Sequence, residues 1–216
     1  MVHLSIVRPA SELQEEQKYF EEIGLRGTAV TFTRGSLAEA CGGAASGKTA
    51  AAVALMADLT AAGEVCAVVD SCGGFDAVTA SASGVVLENV LWVKCGGDLE
   101  KAFIAADLLV QAKGFGMVWL NLGGLSQRKL KMVPRTYWYR YRTRIKETPT
   151  VFFVTAAEPL AGSASQRSFV FERGSAEWSG GGRFKLLRRI GIDIHSRKHF
   201  YGGSLSAQAE AEYDDV

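Results

Sequence analysis

The chain has 216 residues, of which 48% are hydrophobic and 22% are charged, and its formal net charge at pH 7 is +1. These values describe an ordinary globular protein of one domain. No apolar run reaches the length of a membrane-spanning helix, and the first residues do not form a secretory signal, so a cytoplasmic protein is expected. The cysteines follow no zinc-binding spacing and are expected to be reduced thiols: Cys41, Cys66, Cys72 and Cys95.

The near-neutral total hides an uneven distribution of charge. Residues 1–108 carry a net charge of −7, and residues 109–216 carry a net charge of +8. A basic half on a nearly neutral chain indicates an anionic partner that binds one face of the protein.

Capping signals and apolar periodicity predict the following elements in chain order. Ser11 and Gln14 form a capping box that begins an amphipathic helix from Glu12 to Ile23, and Thr28–Phe32 is a candidate strand. Short apolar runs typical of buried parallel strands then alternate with helical stretches. The predicted strands are Leu37–Cys41, Val65–Val69, Val90–Val93, Met117–Leu122 and Val151–Thr155. The predicted helices are Lys48–Ala62, Phe75–Ser83, Asp98–Ala112 and a stretch of Gln127–Lys146 that follows Pro134.

The alternation of strands and helices ends near residue 156. Ser168–Glu172 and Ile190–Ser196 are predicted to be strands separated by a turn at the glycines 180–182. The residues from Gln208 onwards include four acidic and no basic side chains, and they are expected to form a disordered tail. The sequence thus predicts an α/β fold with a mostly parallel sheet, helices on both faces and a C-terminal antiparallel hairpin.

The most informative motif is a glycine-rich loop between a predicted strand and a predicted helix. It matches the pattern G-x-x-x-x-G-K-[ST] at every required position. In this pattern backbone amides surround a phosphate, the lysine reaches the β- and γ-phosphate oxygens, and the threonine hydroxyl holds Mg²⁺. The sequence therefore predicts a nucleotide site formed by Gly42, Gly43, Ala44, Ala45, Ser46, Gly47, Lys48 and Thr49.

The order and spacing of these elements resemble the ATP-binding core of the RecA family over residues 30–200. Gly35–Gly42 is similar to the family's approach to the phosphate loop, and Cys66–Asp70 is similar to its second core strand. The resemblance implies a RecA-like fold, bound ATP or ADP with Mg²⁺, and a contact between Asp76 and the adenine amine. A narrower likeness, to the ImuA group of bacterial damage-tolerance operons, lies in the runs Asp107–Gln111, Gly114–Val118, Trp138–Arg142 and Glu172–Trp178.

Three positions depart from the RecA pattern in ways that weaken catalysis. The resemblance places a catalytic glutamate at Cys72, a magnesium-positioning aspartate at Asn121, and a glutamine that senses the γ-phosphate in the region Thr155–Ala157. A thiol does not activate water as a carboxylate does, and a neutral amide is a weaker partner for Mg²⁺. We therefore expect little ATP hydrolysis, with the alternative that Asp70 or Glu158 substitutes for the missing glutamate.

A segment rich in basic and aromatic residues follows the fourth predicted core strand. Cations that neutralise phosphates and rings that stack on bases favour single-stranded DNA as a ligand, and the resemblance places a DNA-contacting loop here. The alternative is a core helix, because Trp138, Tyr141 and Ile145 recur at helical spacing and would leave the cations on a solvated face. The candidate DNA-binding residues are Arg128, Lys129, Lys131, Arg135, Arg140, Arg142 and Arg144.

Two further regions bear on DNA binding. A second basic cluster at residues 183–198 adds some support for it. The loop that the resemblance assigns to a second DNA contact, Ala156–Gln166, is short and nearly uncharged, so no recombinase filament or strand exchange is expected.

Three functions remain open at this stage. The first is an accessory or regulatory factor of the bacterial DNA damage response and translesion synthesis. The resemblance then implies RecA, an ImuB-type polymerase-like protein or an error-prone polymerase subunit as partners. The second is an active DNA-dependent ATPase of the recombinase class, and the third is an unrelated P-loop kinase. The expected organisation is an N-terminal helix and lead-in over 1–26, a nucleotide-binding domain over 27–204 and the acidic tail over 205–216.

Overall fold

The computed structural model describes residues 21–181, 183, 185–197 and the backbone of 206–212. Its strands are β1 (Glu22–Gly24), β2 (Thr31–Thr33), β3 (Ser36–Cys41), β4 (Cys66–Asp70), β5 (Val90–Lys94), β6 (Met117–Asn121), β7 (Val151–Ala156), β8 (Arg167–Ser179), β9 (Leu186–Ser196) and β10 (Ser206–Glu212). Its α-helices are α1 (Lys48–Ala61), α2 (Ala77–Ala82), α3 (Leu99–Ala112), α4 (Gln127–Lys131) and α5 (Arg135–Ile145).

One large sheet organises the molecule, with eight strands in the order β10-β9-β8-β3-β7-β6-β4-β5. The six strands from β8 to β5 are parallel. β9 joins β8 in antiparallel pairing, and β10 joins β9 in the same way. The predicted C-terminal hairpin is therefore present, and a third strand extends it. Because the carboxyl ends of β3, β4, β6 and β7 share one edge of the sheet, the loops that follow them lie side by side.

Successive residues of a strand point to opposite faces of the sheet, so the apolar strands present apolar side chains on both faces. Helices cover both of these faces. On one face Trp119 and Phe153 belong to a core that includes α1, α2 and the β1–β2 hairpin. On the other face Leu120 and Phe152 belong to a second core formed with α3 and α5. The predicted α/β fold, with a mostly parallel sheet between two helical layers, is confirmed. Among the described residues, no helix combines the length and the apolar character needed to cross a membrane.

The buried side chain of Arg34 links the segments at the amino ends of the central strands. The guanidinium of Arg34 donates to both carboxylate oxygens of Glu64, at 2.9 and 2.7 Å, and to Glu21 at 3.3 Å. It also donates to the carbonyl oxygen of Pro149 at 3.0 Å. Burial alone would lower the pKa of Arg34, but hydrogen bonds and charge from Glu64 and Glu21 outweigh it and the pKa is raised. The arginine therefore stays charged and links the segments that precede β3, β4 and β7.

Two predictions at the ends of the chain need correction. The helix expected from Glu12 to Ile23 lies mainly outside the described residues, but Glu22 and Ile23 belong to β1, which pairs with β2. The tail expected to be disordered from Gln208 is a strand as far as Glu212, and residues 213–216 lie outside the described part. Acidic composition did not prevent this pairing, because the edge of β9 offers backbone hydrogen bonds to any extended segment.

Candidate nucleotide-binding site

The glycine-rich loop connects the carboxyl end of β3 to the amino end of α1, as the motif predicted. Two of its glycines are required by close packing. A methyl group on Gly42 would lie closer than 3.0 Å to the carbonyl oxygen of Phe171, and one on Gly47 closer than 3.0 Å to the side chain of Ile192. Gly47 also has a φ of 90°, which only glycine adopts readily. The loop thus turns directly into α1, where the first helical N–H groups have no partner within the helix.

Two polar side chains of the loop are withdrawn from solvent. The Lys48 ammonium donates a 2.6 Å hydrogen bond to the carbonyl oxygen of Gly43. Burial lowers the pKa of Lys48, against an opposing effect of Cys41. The hydroxyl of Ser46 is buried and has no hydrogen-bond partner among the described residues. A partly desolvated cation and an unpaired hydroxyl beside a helix amino terminus fit a phosphate group, and exposed Thr49 stands where the motif places its Mg²⁺ ligand.

Asp70 is the last residue of β4, and Cys72 lies in the loop that follows. The sequence-based expectation about ATP hydrolysis depends on these two positions. Asp70 is buried, and its carboxylate accepts the amides of Gly74 at 2.9 Å and Phe75 at 3.1 Å. It holds its own loop in shape, which weakens the alternative that it acts as a catalytic base. Glu158, the other candidate substitute, pairs with Lys131 at 2.8 Å. Cys72 is exposed.

Asn121 ends β6 and is part of an internal hydrogen-bond network. Its side-chain oxygen accepts the Gly123 amide and the Thr155 hydroxyl, each at 3.1 Å. The Thr155 oxygen in turn accepts the indole N–H of Trp119 at 2.9 Å. Because these two donors use both lone pairs of the Asn121 oxygen, none is left for a magnesium-bound water. The arrangement argues against Asn121 as a metal partner.

Asp76 caps helix α2. Its carboxylate accepts the amides of Val78 at 3.3 Å and Thr79 at 3.1 Å, together with the Thr79 hydroxyl. The hydrogen bonds from the Thr79 hydroxyl and amide hold the pKa of Asp76 below its usual value. The carboxylate therefore stabilises the start of α2 in this structure. Its contact with adenine remains a prediction.

Sequence reasoning missed a buried glutamate three residues before the phosphate loop begins. Glu39 lies within β3, and one of its carboxylate oxygens accepts the backbone amides of Leu160 and Ala161. The other oxygen accepts the Ser168 hydroxyl at 3.3 Å. Glu39 thereby fixes the connection between β7 and β8 to the strand that leads into the phosphate loop. The signal available in the sequence was a lone acidic residue inside an otherwise apolar strand.

The basic aromatic segment forms two helices, and its aromatic stripe belongs to the core. Trp138, Tyr141 and Ile145 are buried on one side of α5. The Tyr141 hydroxyl donates to the carbonyl oxygen of Phe103 on α3 at 2.8 Å. For these three residues the core-helix alternative is confirmed, and they are not free to stack on bases.

The seven candidate DNA-binding cations fall into two sets. Four of them have protein partners: Arg140 and Arg144 contact Asp107, Lys131 contacts Glu158, and Arg142 donates to the carbonyl of Ser163. The other three, Arg128, Lys129 and Arg135, are exposed. These three cations lie on α4 and at the start of α5, and Met132, which follows α4, is also exposed.

No group of three or more potential His, Cys, Asp or Glu metal ligands occurs within the described part of the chain. His195 and His199 are four residues apart in the sequence, and His199 lies outside the described residues.

Comparisons with known proteins agree with this architecture. Residues 23–123 match the RecA N-terminal domain. The solved structure titled as the crystal structure of the RadB recombinase is similar at a TM-score of 0.59 and 14% sequence identity, over 82% of this chain and 87% of that chain. No curated protein sequence matches. The chain has a RecA-like fold with a phosphate-binding loop. These comparisons do not test the narrower likeness to ImuA, which remains a prediction.

Proposed function

We propose that this protein binds ATP or ADP with Mg²⁺ at the Gly42–Thr49 loop and hydrolyses ATP slowly or not at all. The observation that carries the proposal is the contrast between the loop and its surroundings. The loop keeps its packed glycines, its desolvated Lys48 and the unpaired Ser46 hydroxyl. The neighbouring loops offer the thiol of Cys72 and an amide already engaged at Asn121.

Nucleotide binding and ATP hydrolysis place different requirements on the site. Phosphate binding needs backbone amides and a cation, which the start of α1 and Lys48 can supply. Hydrolysis needs in addition a group that orients or activates water and a metal held against the phosphates. Asp70 is committed to the amides of its own loop, and Glu158 is paired with Lys131. The site is therefore better suited to holding a nucleotide than to consuming it.

We further propose that the bound nucleotide regulates contact with other macromolecules, as an accessory factor of the DNA damage response and translesion synthesis. A RecA-like core with weakened catalytic positions and the exposed cations Arg128, Lys129 and Arg135 support this role. RecA, an ImuB-type polymerase-like protein and single-stranded DNA are the candidate partners. Their association is to be measured by pull-down and mass photometry with and without ATP, and absence of all three interactions would remove the accessory role.

The decisive experiment combines titration calorimetry of ATP·Mg²⁺ with phosphate-release assays in the presence and absence of single-stranded DNA. We expect binding that is lost in Lys48→Ala and kept in the control Lys146→Ala, which removes an exposed lysine outside the loop. We expect phosphate release at background in both conditions. DNA-stimulated release that Lys48→Ala abolishes would instead establish an active recombinase-type ATPase.

A further inference from the structure

A cavity of about 360 Å³ opens between the phosphate loop and the C-terminal strands. Ala45–Ala50 form one wall, and the opposite wall is a face of β8 and β9. We infer that this cavity holds the base and sugar of the nucleotide, with Trp178 as the stacking surface, and that it accepts adenine and guanine with similar affinity. The inference rests on the proposed nucleotide binding at the loop.

The wall opposite the loop is assembled from directly opposed residues of the two antiparallel strands. The pairs are Arg173 with Ile192, Ala176 with Ile190, and Trp178 with Leu187, and all six line the cavity. Opposed residues in an antiparallel pair share a face of the sheet. Ile192 is the residue that packs against Gly47, so this face begins at the loop itself.

An irregularity in the pairing brings Trp178 to the cavity. In a regular strand, alternation from Arg173 would place residues 175 and 177 on this face and Trp178 on the other. The register shifts between Arg173 and Ala176, and again between Glu177 and Trp178. Such bulges re-aim side chains and are concentrated beside functional sites. The first shift adds one residue to β8 and so places Ala176 and the indole ring of Trp178 on the same face as Ile190 and Ile192. The second adds one residue to β9 and brings Leu187 to this face.

The exposure of Trp178 is suitable for stacking with the ring of a nucleotide base. Its side chain is 55% exposed, whereas Trp119 and Trp138 are buried in the two cores. A half-exposed indole on an aliphatic surface provides a face that a base can cover, and every base can stack on it.

Beyond the loop, Arg173 is the one charged side chain among the described residues that line the cavity, and we assign it to the phosphates and not to the edge of the base. The other five described lining residues beyond the loop are apolar. Asp76, which the resemblance assigned to the adenine amine, caps α2 and does not line this cavity. Strong discrimination between related ligands requires buried polar groups that one of them leaves unpaired. Without such groups, adenine and guanine are expected to bind about equally.

Arg173 completes the path from phosphate to base. It is directly opposite Ile192, and it lines the cavity together with the loop. An arginine in this position suits phosphate oxygens, which accept its paired N–H groups. The nucleotide would then extend from the loop, past Arg173, to Trp178.

The test measures binding of Mg²⁺ complexes of ATP, GTP and inorganic tripolyphosphate to the full chain and to variants. Trp178→Ala is expected to weaken ATP and GTP about tenfold or more and leave tripolyphosphate unchanged, and Trp178→Phe is expected to restore most of the loss. Leu186→Ala removes an exposed apolar side chain of β9 that does not line the cavity, and it should change nothing. Tripolyphosphate binding also reports that each variant is folded. In the wild type, ATP should quench tryptophan fluorescence, and Trp178→Phe should abolish this quenching.

Three outcomes are decisive. An unchanged ratio of ATP to tripolyphosphate affinity in Trp178→Ala would overturn the stacking role. GTP binding more than about a hundredfold weaker than ATP would overturn the shared specificity. If the wild type binds neither ATP nor tripolyphosphate, the proposed nucleotide function itself fails, and that result is distinguishable from the first two.

Discussion

Ile192 packs so closely against Gly47 that a methyl group at Gly47 would lie within 3.0 Å of three carbon atoms of the isoleucine side chain. This contact joins the turn that begins α1 to the middle of β9. The phosphate loop is therefore shaped partly by a strand that follows it by more than a hundred residues in the sequence. It also means that β9 forms part of the wall of the proposed nucleotide site.

The first prediction concerns this contact. Gly47→Ala should abolish nucleotide binding and lower the melting temperature, because the new methyl group meets Ile192 and the φ of 90° is strained for alanine. Gly43→Ala is the matched control, since a methyl group there meets nothing within 4 Å. Calorimetric titration and thermal unfolding of both variants test it, and equal behaviour of the two would contradict the role of the contact.

The second prediction concerns the buried ion pair at the amino ends of the strands. Arg34→Met should lower the free energy of unfolding by about 3 kcal/mol, because Glu64 loses its partner in a largely buried position. Arg26→Met removes the exposed partner of Asp58 and should cost less than about 1 kcal/mol. Urea unfolding measures both values. The double variant Arg34→Met with Glu64→Met should recover part of the loss, and no recovery would mean that the arginine acts by packing alone.

The third prediction concerns Glu39. Glu39→Ala should speed hydrogen exchange across residues 157–166, since the amides of Leu160 and Ala161 lose their acceptor. Glu39→Gln keeps an acceptor oxygen and should preserve most of the protection. Exchange followed by mass spectrometry tests this, and similar rates in wild type and Glu39→Ala would show that the loop is held by other contacts.

The fourth prediction separates the two sets of cations in a DNA-binding assay. Replacing Arg128, Lys129 and Arg135 together by alanine should weaken binding to single-stranded DNA and reduce its dependence on salt, because these side chains face solvent. Replacing Arg140, Arg142 and Arg144 removes the same charge but should mainly reduce stability, since Asp107 loses both arginines. Fluorescence anisotropy across a salt series gives both results. Equal losses of affinity would mean that only total charge matters.

The fifth prediction concerns thiol chemistry and pH. Burial raises the pKa of Cys41 and Cys95, and raises that of Cys66 to about 12, so these thiols stay protonated through the neutral and mildly alkaline range. Cys72 is exposed. An aromatic disulfide reagent at pH 8 should therefore release one equivalent rapidly from the native protein and four after unfolding in urea. More than one rapid equivalent would show that the cores open readily.

The sequence predicted local features well. The five parallel strands β3 to β7 were placed within a residue or two, because continuous apolar runs are typical of the strands of a parallel sheet. Asp98 was expected to cap the helix after β5, and its carboxylate accepts the Lys101 amide. The aromatic stripe of α5 was one of two stated alternatives, and the tertiary contacts of Tyr141 decided between them.

Features that depend on distant residues could not be found in this way. The engagement of the Asn121 oxygen by Thr155 and the anchoring of Ala161 by Glu39 join residues 34 and 122 positions apart. The strand from Ser206 to Glu212 was missed because its composition is that of a solvated tail, and only the open edge of β9 gives it a partner.

What the sequence by itself determined is the phosphate loop and the α/β alternation, since both arise from the backbone preferences and spacing of nearby residues. The face that Trp178 presents was decided by tertiary structure. Regular alternation from Arg173 would place this side chain on the other face of the sheet, and only the register shift between Arg173 and Ala176 brings it to the face that lies opposite the loop. A bulge depends on how two strands pair, so it is not encoded in either strand alone.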